Sequence, residues 1–96
     1  MKELDPILHS QLRLAIVSIL MAAEEAEFNF IKEQTQATAG NLSVQISKLK
    51  EAGYIEVEKK FHNNYPLTIC KITELGIEKF EAYALAIAEY LQIKKQ

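Results

Sequence analysis

The sequence predicts a mainly α domain with one β-hairpin, in the order helix, helix, helix, hairpin, helix. Three observations predict it. Apolar residues recur at helical spacing in the opening, middle and closing parts of the chain. Between residues 55 and 72 the period switches to two, on either side of an Asn-Asn pair. Gly, Pro and capping residues fall at the borders of these segments, and no Pro/Gly/Ser linker or repeat divides them.

The first helix starts at Asp5-Pro6, with Asp as N-cap and Pro at the first helical position, and runs to Ala23. Leu8, Leu12, Ala15, Ile16 and Ile19 share one face; Ile7, Leu14, Val17 and Met21 share a second. Apolar character on two sides calls for two partners, a core and another subunit. Glu24-Glu25-Ala26-Glu27 reads as a solvated connection. A short helix follows from its N-cap Asn29 to Thr35. After a turn comes a better-marked helix capped by Thr38, with Asn41 at its third position. Gly53 ends it in a left-handed conformation, and Tyr54 folds back on Leu49 in a Schellman arrangement. Ile55 and Val57 then alternate with Glu56 and Glu58, residues 63–66 turn, and Leu67 to Ile72 returns as the second strand. Thr73 caps the last helix. Its stripe is Ile77, Phe80, Ala84, Ile87 and Leu91, widened by Tyr83 and Tyr90.

Ninety-six residues suit one domain, expected over residues 1–96. With 49% hydrophobic and 25% charged residues, the composition is that of a globular protein and not of a disordered one. No stretch approaches the roughly 20 apolar residues of a membrane span. The first residues lack the basic region and cleavage site of a signal peptide, so the cytoplasm is the expected location. Cys70 is the only cysteine, which excludes an intrachain disulfide and a cysteine-rich zinc site. It reads as a small apolar strand residue. The alternative, a redox-sensing thiol, has only Lys71 nearby to lower its pKa, on the opposite face. His9 and His62 stand far apart, and neither a metal nor a cofactor is expected.

The net charge of −2 counts against nucleic acid until its distribution is considered. From Phe28 to Ile72 there are six lysines and four glutamates, while the two ends carry five basic and nine acidic residues. The middle is the basic part.

Two short helices joined by a tight turn and followed at once by a hairpin make a winged helix-turn-helix. On the second of these helices, Leu42, Ile46 and Leu49 share the core face. The outer face carries Gly40, Val44, Ser47, Lys48 and Glu51, with Asn41 and Ser43 at its edges and Gln45 nearer the core boundary. That set suits a major groove. Gly40 and the helix N-terminus admit a phosphate. Asn41, Ser43 and Gln45 hydrogen-bond base edges, and Lys48 reaches guanine or phosphate. Val44 fits a thymine methyl, although single exposed apolar residues are common on any surface. Lys59, Lys60, His62, Asn63 and Asn64 lie at or near the tip of the hairpin, where a wing touches the flanking duplex; a plain solvated turn is the competing reading.

The run TAGNLSVQISKLKEAGYI over residues 38–55 resembles the recognition-helix segment of small stand-alone winged-helix regulators, near the MarR-like and ArsR-like groups. The stretches LDPILHSQLRL (4–14) and LTICKITELG (67–76) resemble them too, so the likeness covers nearly the whole chain. It implies a transcriptional regulator that binds double-stranded DNA, dimeric through its first and last helices. Thr38, Asn41, Ser43, Val44, Gln45 and Lys48 would then face DNA. Wings of that kind often carry Gly-Lys or Gly-Arg and an arginine near the Pro-x-Thr; here Asn63-Asn64-Tyr65 and Leu67 stand instead. Fewer phosphate contacts imply a shallower salt dependence. The metal site of the ArsR-like sensors is absent from the sequence.

Two other classes fit less well. A winged helix used for protein contact would present an apolar or acidic outer face, not the small, polar and basic set at 40–48. An enzyme would need a nucleophile with a base, paired carboxylates or a phosphate loop, and only dispersed Glu and isolated His are present. A homodimer is expected from the last helix, where Tyr83, Ile87, Tyr90 and Leu91 exceed what so small a domain covers, and a twofold dimer implies a palindromic operator.

Overall fold

A computed structural model describes residues 2–92; the ends of the domain expected over 1–96 lie outside them. The elements run α1 (Gln11–Ala23), β1 (Glu25–Glu27), α2 (Phe28–Thr35), α3 (Ala39–Glu51), β2 (Ile55–His62), β3 (Tyr65–Ile72) and α4 (Glu74–Leu91). The expected helices and hairpin are all present, with one strand added.

The added strand corrects the reading of residues 24–27 as a solvated connection. Glu25, Ala26 and Glu27 pair antiparallel with Lys71, Cys70 and Ile69, giving a three-stranded sheet in the order β1-β3-β2. Glu25 and Glu27 are exposed and Ala26 turns inward, which is strand periodicity over only three residues. The pairing covers the edge of β3 that would otherwise stay open. It also places Lys71 between Glu25 and Glu56 in register, opposite charges on both sides.

The first helix starts later than Asp5-Pro6 suggests. Asp5 accepts a hydrogen bond from the Ile7 N–H at Oδ1 (2.8 Å) and one from the His9 N–H at its carbonyl (2.8 Å), which closes a single turn. Ser10 is then extended, and α1 begins at Gln11. The start signal is genuine, but it caps an isolated turn. That turn buries Leu8 completely and is tied to the last helix and its neighbours: the Tyr54 hydroxyl donates to Asp5 Oδ2 (2.6 Å), and His9 Nδ1 lies 2.9 Å from the Tyr83 hydroxyl. Asn29 likewise sits inside α2, whose N-cap position is Glu27.

The core gathers Leu8, Ile16, Val17 and Leu20 against Ile31, Leu42, Leu49 and Cys70, all fully buried. Burial pushes the Cys70 thiol up to about 11, so at neutral pH it is protonated, as an apolar strand residue should be.

On α4 the expected stripe is rotated. The buried residues are Gly76, Tyr83 and Ala86, with Phe80 and Ile87 half-buried, while Ile77, Ala84 and Leu91 face outward. Gly76 sets that phase. A Cβ there would stand 2.2 Å from the Tyr54 carbonyl oxygen, so only glycine lets the helix start seat against the end of the α3 loop. Thr73 caps α4 as expected, accepting from the Gly76 N–H (3.0 Å) and donating to the Gly53 carbonyl (2.7 Å). Among the described residues, no helix is long and apolar enough to cross a membrane.

Candidate nucleic-acid interface

The helix-turn-helix is built from α2, a turn at residues 36–38, and α3. Gln36 takes the left-handed conformation (φ 59°) that reverses the chain. The Thr35 hydroxyl bonds back to the Ile31 carbonyl (2.8 Å) and closes the end of α2. Thr38 then caps α3, its hydroxyl accepting from the Asn41 N–H (3.2 Å). At the other end Gly53 sits at φ 83°, and the Gly53 and Tyr54 N–H groups donate to Lys50 and Leu49 (both 3.0 Å). These are the two bonds of a Schellman ending. Both ends of α3 are therefore fixed by its own sequence.

Leu42, Ile46 and Leu49 point into the core, so the rotation of α3 is fixed as well. Thr38, Gly40, Asn41, Ser43, Val44, Ser47 and Lys48 are all exposed on the outside. Val44 keeps 51% of its surface in solvent and packs on nothing in the core. A Cβ on Gly40 would meet nothing within 4 Å, so no packing inside the chain requires glycine there.

Gln45 is the exception among the expected contacts. It is half-buried, and its amide is engaged on both sides: Oε1 accepts from Arg13 Nη1 (2.5 Å), and Nε2 donates to Asn41 Oδ1 (3.1 Å). Arg13, the sole arginine of the chain, is in turn held by the Ile7 carbonyl at Nε (2.7 Å). The chain of bonds engages the oxygen of the exposed Asn41 and leaves its NH₂ as the group able to donate, the chemistry that the N7, O6 or O4 acceptors of a major groove call for. Arg13 anchors Gln45 beneath this face, and the sequence alone does not single it out, because its partner lies 32 positions away.

The hairpin stands beside α3. Asn63 and Asn64 form its two-residue loop with φ of 50° and 65°, the pair of positive values a type I′ turn requires. The strands are thus longer than expected, and Tyr65 and Pro66 belong to β3. Alternation separates the wing lysines. Lys59 shares a face with Val57 and, across the ladder, Thr68 and Cys70; Lys60 and His62 lie on the other face. Lys60 approaches Glu58 at 3.8 Å there, an exposed ion pair. Only the Lys59 face looks toward α3. Between them runs a groove of about 480 Å³, bordered by Ser43, Ser47 and Lys50 on the helix and Lys59 and Thr68 on the wing. Two lysines border one groove, and Lys50 is a second residue that the sequence alone does not single out.

Comparison with known proteins decides the family. The sequence matches winged helix DNA-binding domains over residues 12–95. The chain belongs to that family. An uncharacterized protein of Methanocaldococcus jannaschii is 38% identical to this winged helix over 89 residues, 93% of this chain and 94% of its own. The structure of a transcriptional regulator homologue from Pyrococcus horikoshii superposes with a TM-score of 0.77 at 29% identity, covering 91% of this chain and 89% of its own. The Thermoplasma acidophilum protein TA0346 shares the fold, with a TM-score of 0.72 at 22% identity and 91% coverage of both chains. The resemblance carried by residues 38–55 is thus to the right group: small winged-helix regulators. Among the described residues of this winged helix, no group of three His, Cys, Asp or Glu side chains could hold a metal ion.

Proposed function

We propose that this winged helix is a transcriptional regulator that binds double-stranded DNA at specific, palindromic sites as a homodimer. The observation that carries the reading is the outward face of α3, where a capped, core-anchored helix presents Asn41, Ser43, Val44 and Lys48 to solvent. In the major groove Asn41 donates to a base acceptor, Ser43 hydrogen-bonds a base edge, Val44 covers a thymine methyl and Lys48 reaches guanine or phosphate. Thr38 and Gly40 bring the helix N-terminus against the backbone. Gln45 acts indirectly, by orienting Asn41. Lys50 and Lys59 hold the strand that lies in the groove between helix and wing, and Asn63 and Asn64 carry the tip onto the next stretch of backbone, with Lys60 and His62 on its outer side.

Dimerisation is supported by α4. Leu85 and Leu91 are 69% and 79% exposed, with Ile77 and Tyr90 partly so, all on this one helix. The chain exposes 6862 Å², against roughly 5,600 Å² for a compact monomer of its mass. A second copy on α4 would cover those leucines and set two α3 helices roughly 34 Å apart, one turn of duplex.

Titration of mixed genomic duplex fragments with salt tests the DNA reading. Wild-type binding should weaken with salt, with the modest slope that few phosphate contacts imply, and Asn41→Ala/Lys48→Ala should lose it, with Lys48→Ala alone lowering the log–log slope by about one. Absence of duplex binding even at low salt would refute it. Light scattering should return twice the chain mass, and Leu85→Asp/Leu91→Asp should return one.

A further inference from the structure

The wing carries a feature that phosphate contact does not use. Phe61 is 78% exposed and Tyr65 73% exposed, Tyr65 in the pair that closes the hairpin loop and Phe61 in the pair behind it. Neither contributes to the core. Phe61 pairs across the ladder with Pro66, and the next pair on the same face is Lys59 with Thr68, which borders the groove beside α3. Phe61 and Pro66 therefore extend the groove-facing surface one step nearer the tip. Tyr65 occupies the other face, opposite His62. From Lys59 to Thr68 the ribbon carries two lysines and no acidic residue, in a chain whose net charge is −2. An apolar tip flanked by positive charge matches a surface that is anionic at its edges and apolar between its layers, which is a stacked duplex.

Building on the DNA-binding reading of α3, we propose that the wing enters the minor groove beside the recognition site and drives Phe61 as a wedge into a base step, bending the duplex. Lys59 and Lys60 grip the phosphates on either side. Pro66, lacking an N–H and fixed in φ, backs Phe61 as a stiff apolar edge, and the type I′ loop keeps the ribbon narrow enough for a groove roughly 6 Å wide. Apolar side chains inserted in this way partly unstack a step and kink the duplex by roughly 20–90° toward the major groove. The preferred steps are TA and CA/TG, the easiest to unstack, so the wedge adds sequence preference at positions that α3 does not touch.

The test uses the full chain and a mixed-sequence duplex of about 30 base pairs, one helical site with flanks, labelled at its two ends for resonance energy transfer. Wild type should shorten the end-to-end distance on binding. Phe61→Ala should still bind, weaker by about tenfold or less, and leave the duplex straight. Phe61→Leu, an apolar wedge without a ring, should keep the bend. Because Phe61 is exposed, both variants should melt with wild type in the absence of DNA. A wild-type complex as straight as free duplex, or a Phe61→Ala complex as bent as wild type, would overturn the wedge while leaving α3 recognition intact. Loss of the oligomer in Phe61→Ala with no change in DNA shape would overturn it too, by making the aromatic tip a contact between copies. Failure of wild type to bind any duplex would remove the DNA reading and the wedge with it.

Discussion

The α3 helix and the wing, which the proposed function places together on DNA, are held in opposite ways. α3 is fixed at three points: the Thr38 cap, the Leu42/Ile46/Leu49 face and the Schellman ending at Gly53. The wing is anchored only at its root, where Ile55, Cys70 and Ile72 are buried and Val57 is half-buried; every residue from Glu58 to Pro66 is exposed. Beyond that root only the ladder between two strands holds it, and an isolated two-stranded hairpin is marginal in water. A rigid helix can read base edges because its donors arrive already placed. A ribbon without packing cannot place a donor so well, but it can follow a groove and deform what it meets. The difference matches the residues each carries: small polar groups on α3, lysines and an exposed aromatic on the wing.

Substitutions can break this contrast. Leu42→Ala should be the most damaging, destabilising the fold by about 2–5 kcal/mol, because it opens a cavity where α3 meets the core; thermal or denaturant melting reads it. Thr38→Ala should cost about 1 kcal/mol by removing the cap, and should weaken DNA binding as the first turn frays. Gly40→Ala should separate folding from function. Helix propensity favours alanine by up to about 1 kcal/mol, and the side chain meets nothing in the protein, so the melting temperature should rise. In the proposed complex the same methyl would stand where a phosphate approaches, so duplex affinity should fall. Phe61→Ala, at the free end of the wing, should change stability by less than about 0.5 kcal/mol.

The root of the wing gives a pH signature. Cys70 is raised by burial to about 11 from an ordinary 9, so between those values the unfolded chain loses its proton first. Stability is then full below pH 9 and falls as pH rises through that window. Tyr54 acts in the same direction, held above the usual phenol range by burial first and then by its hydrogen bond to the Asp5 carboxylate. Cys70→Ala should flatten part of the alkaline loss in denaturant titrations at several pH values. If the loss were unchanged in both Cys70→Ala and Tyr54→Phe, neither group would carry it.

What the sequence revealed follows the range of the interactions. Thr38, Gly53 and Thr73 were legible because a cap is decided within a few residues of itself. The core face of α3 was legible because its apolar side is narrow. β1 was not: Glu25-Ala26-Glu27 becomes a strand only because Cys70, 44 positions on, offers an open edge. The phase of α4 was misread because that helix is apolar nearly all round, and the choice falls to Gly76 against Tyr54, a contact between two elements. The candidate site shows the same limit. Its exposed α3 residues followed from periodicity, whereas the Arg13–Gln45–Asn41 chain and the Lys50–Lys59 slot depend on how elements pack.

The most direct test of α3 as the reading element is amide chemical-shift mapping of the labelled protein during titration with a short duplex. The account predicts the largest changes over residues 38–48, a second set at 59–64, and little change on the buried face of α1. Changes confined to α4 and the N-terminal turn, with 38–48 silent, would contradict it and move the function of this winged helix away from its helix-turn-helix.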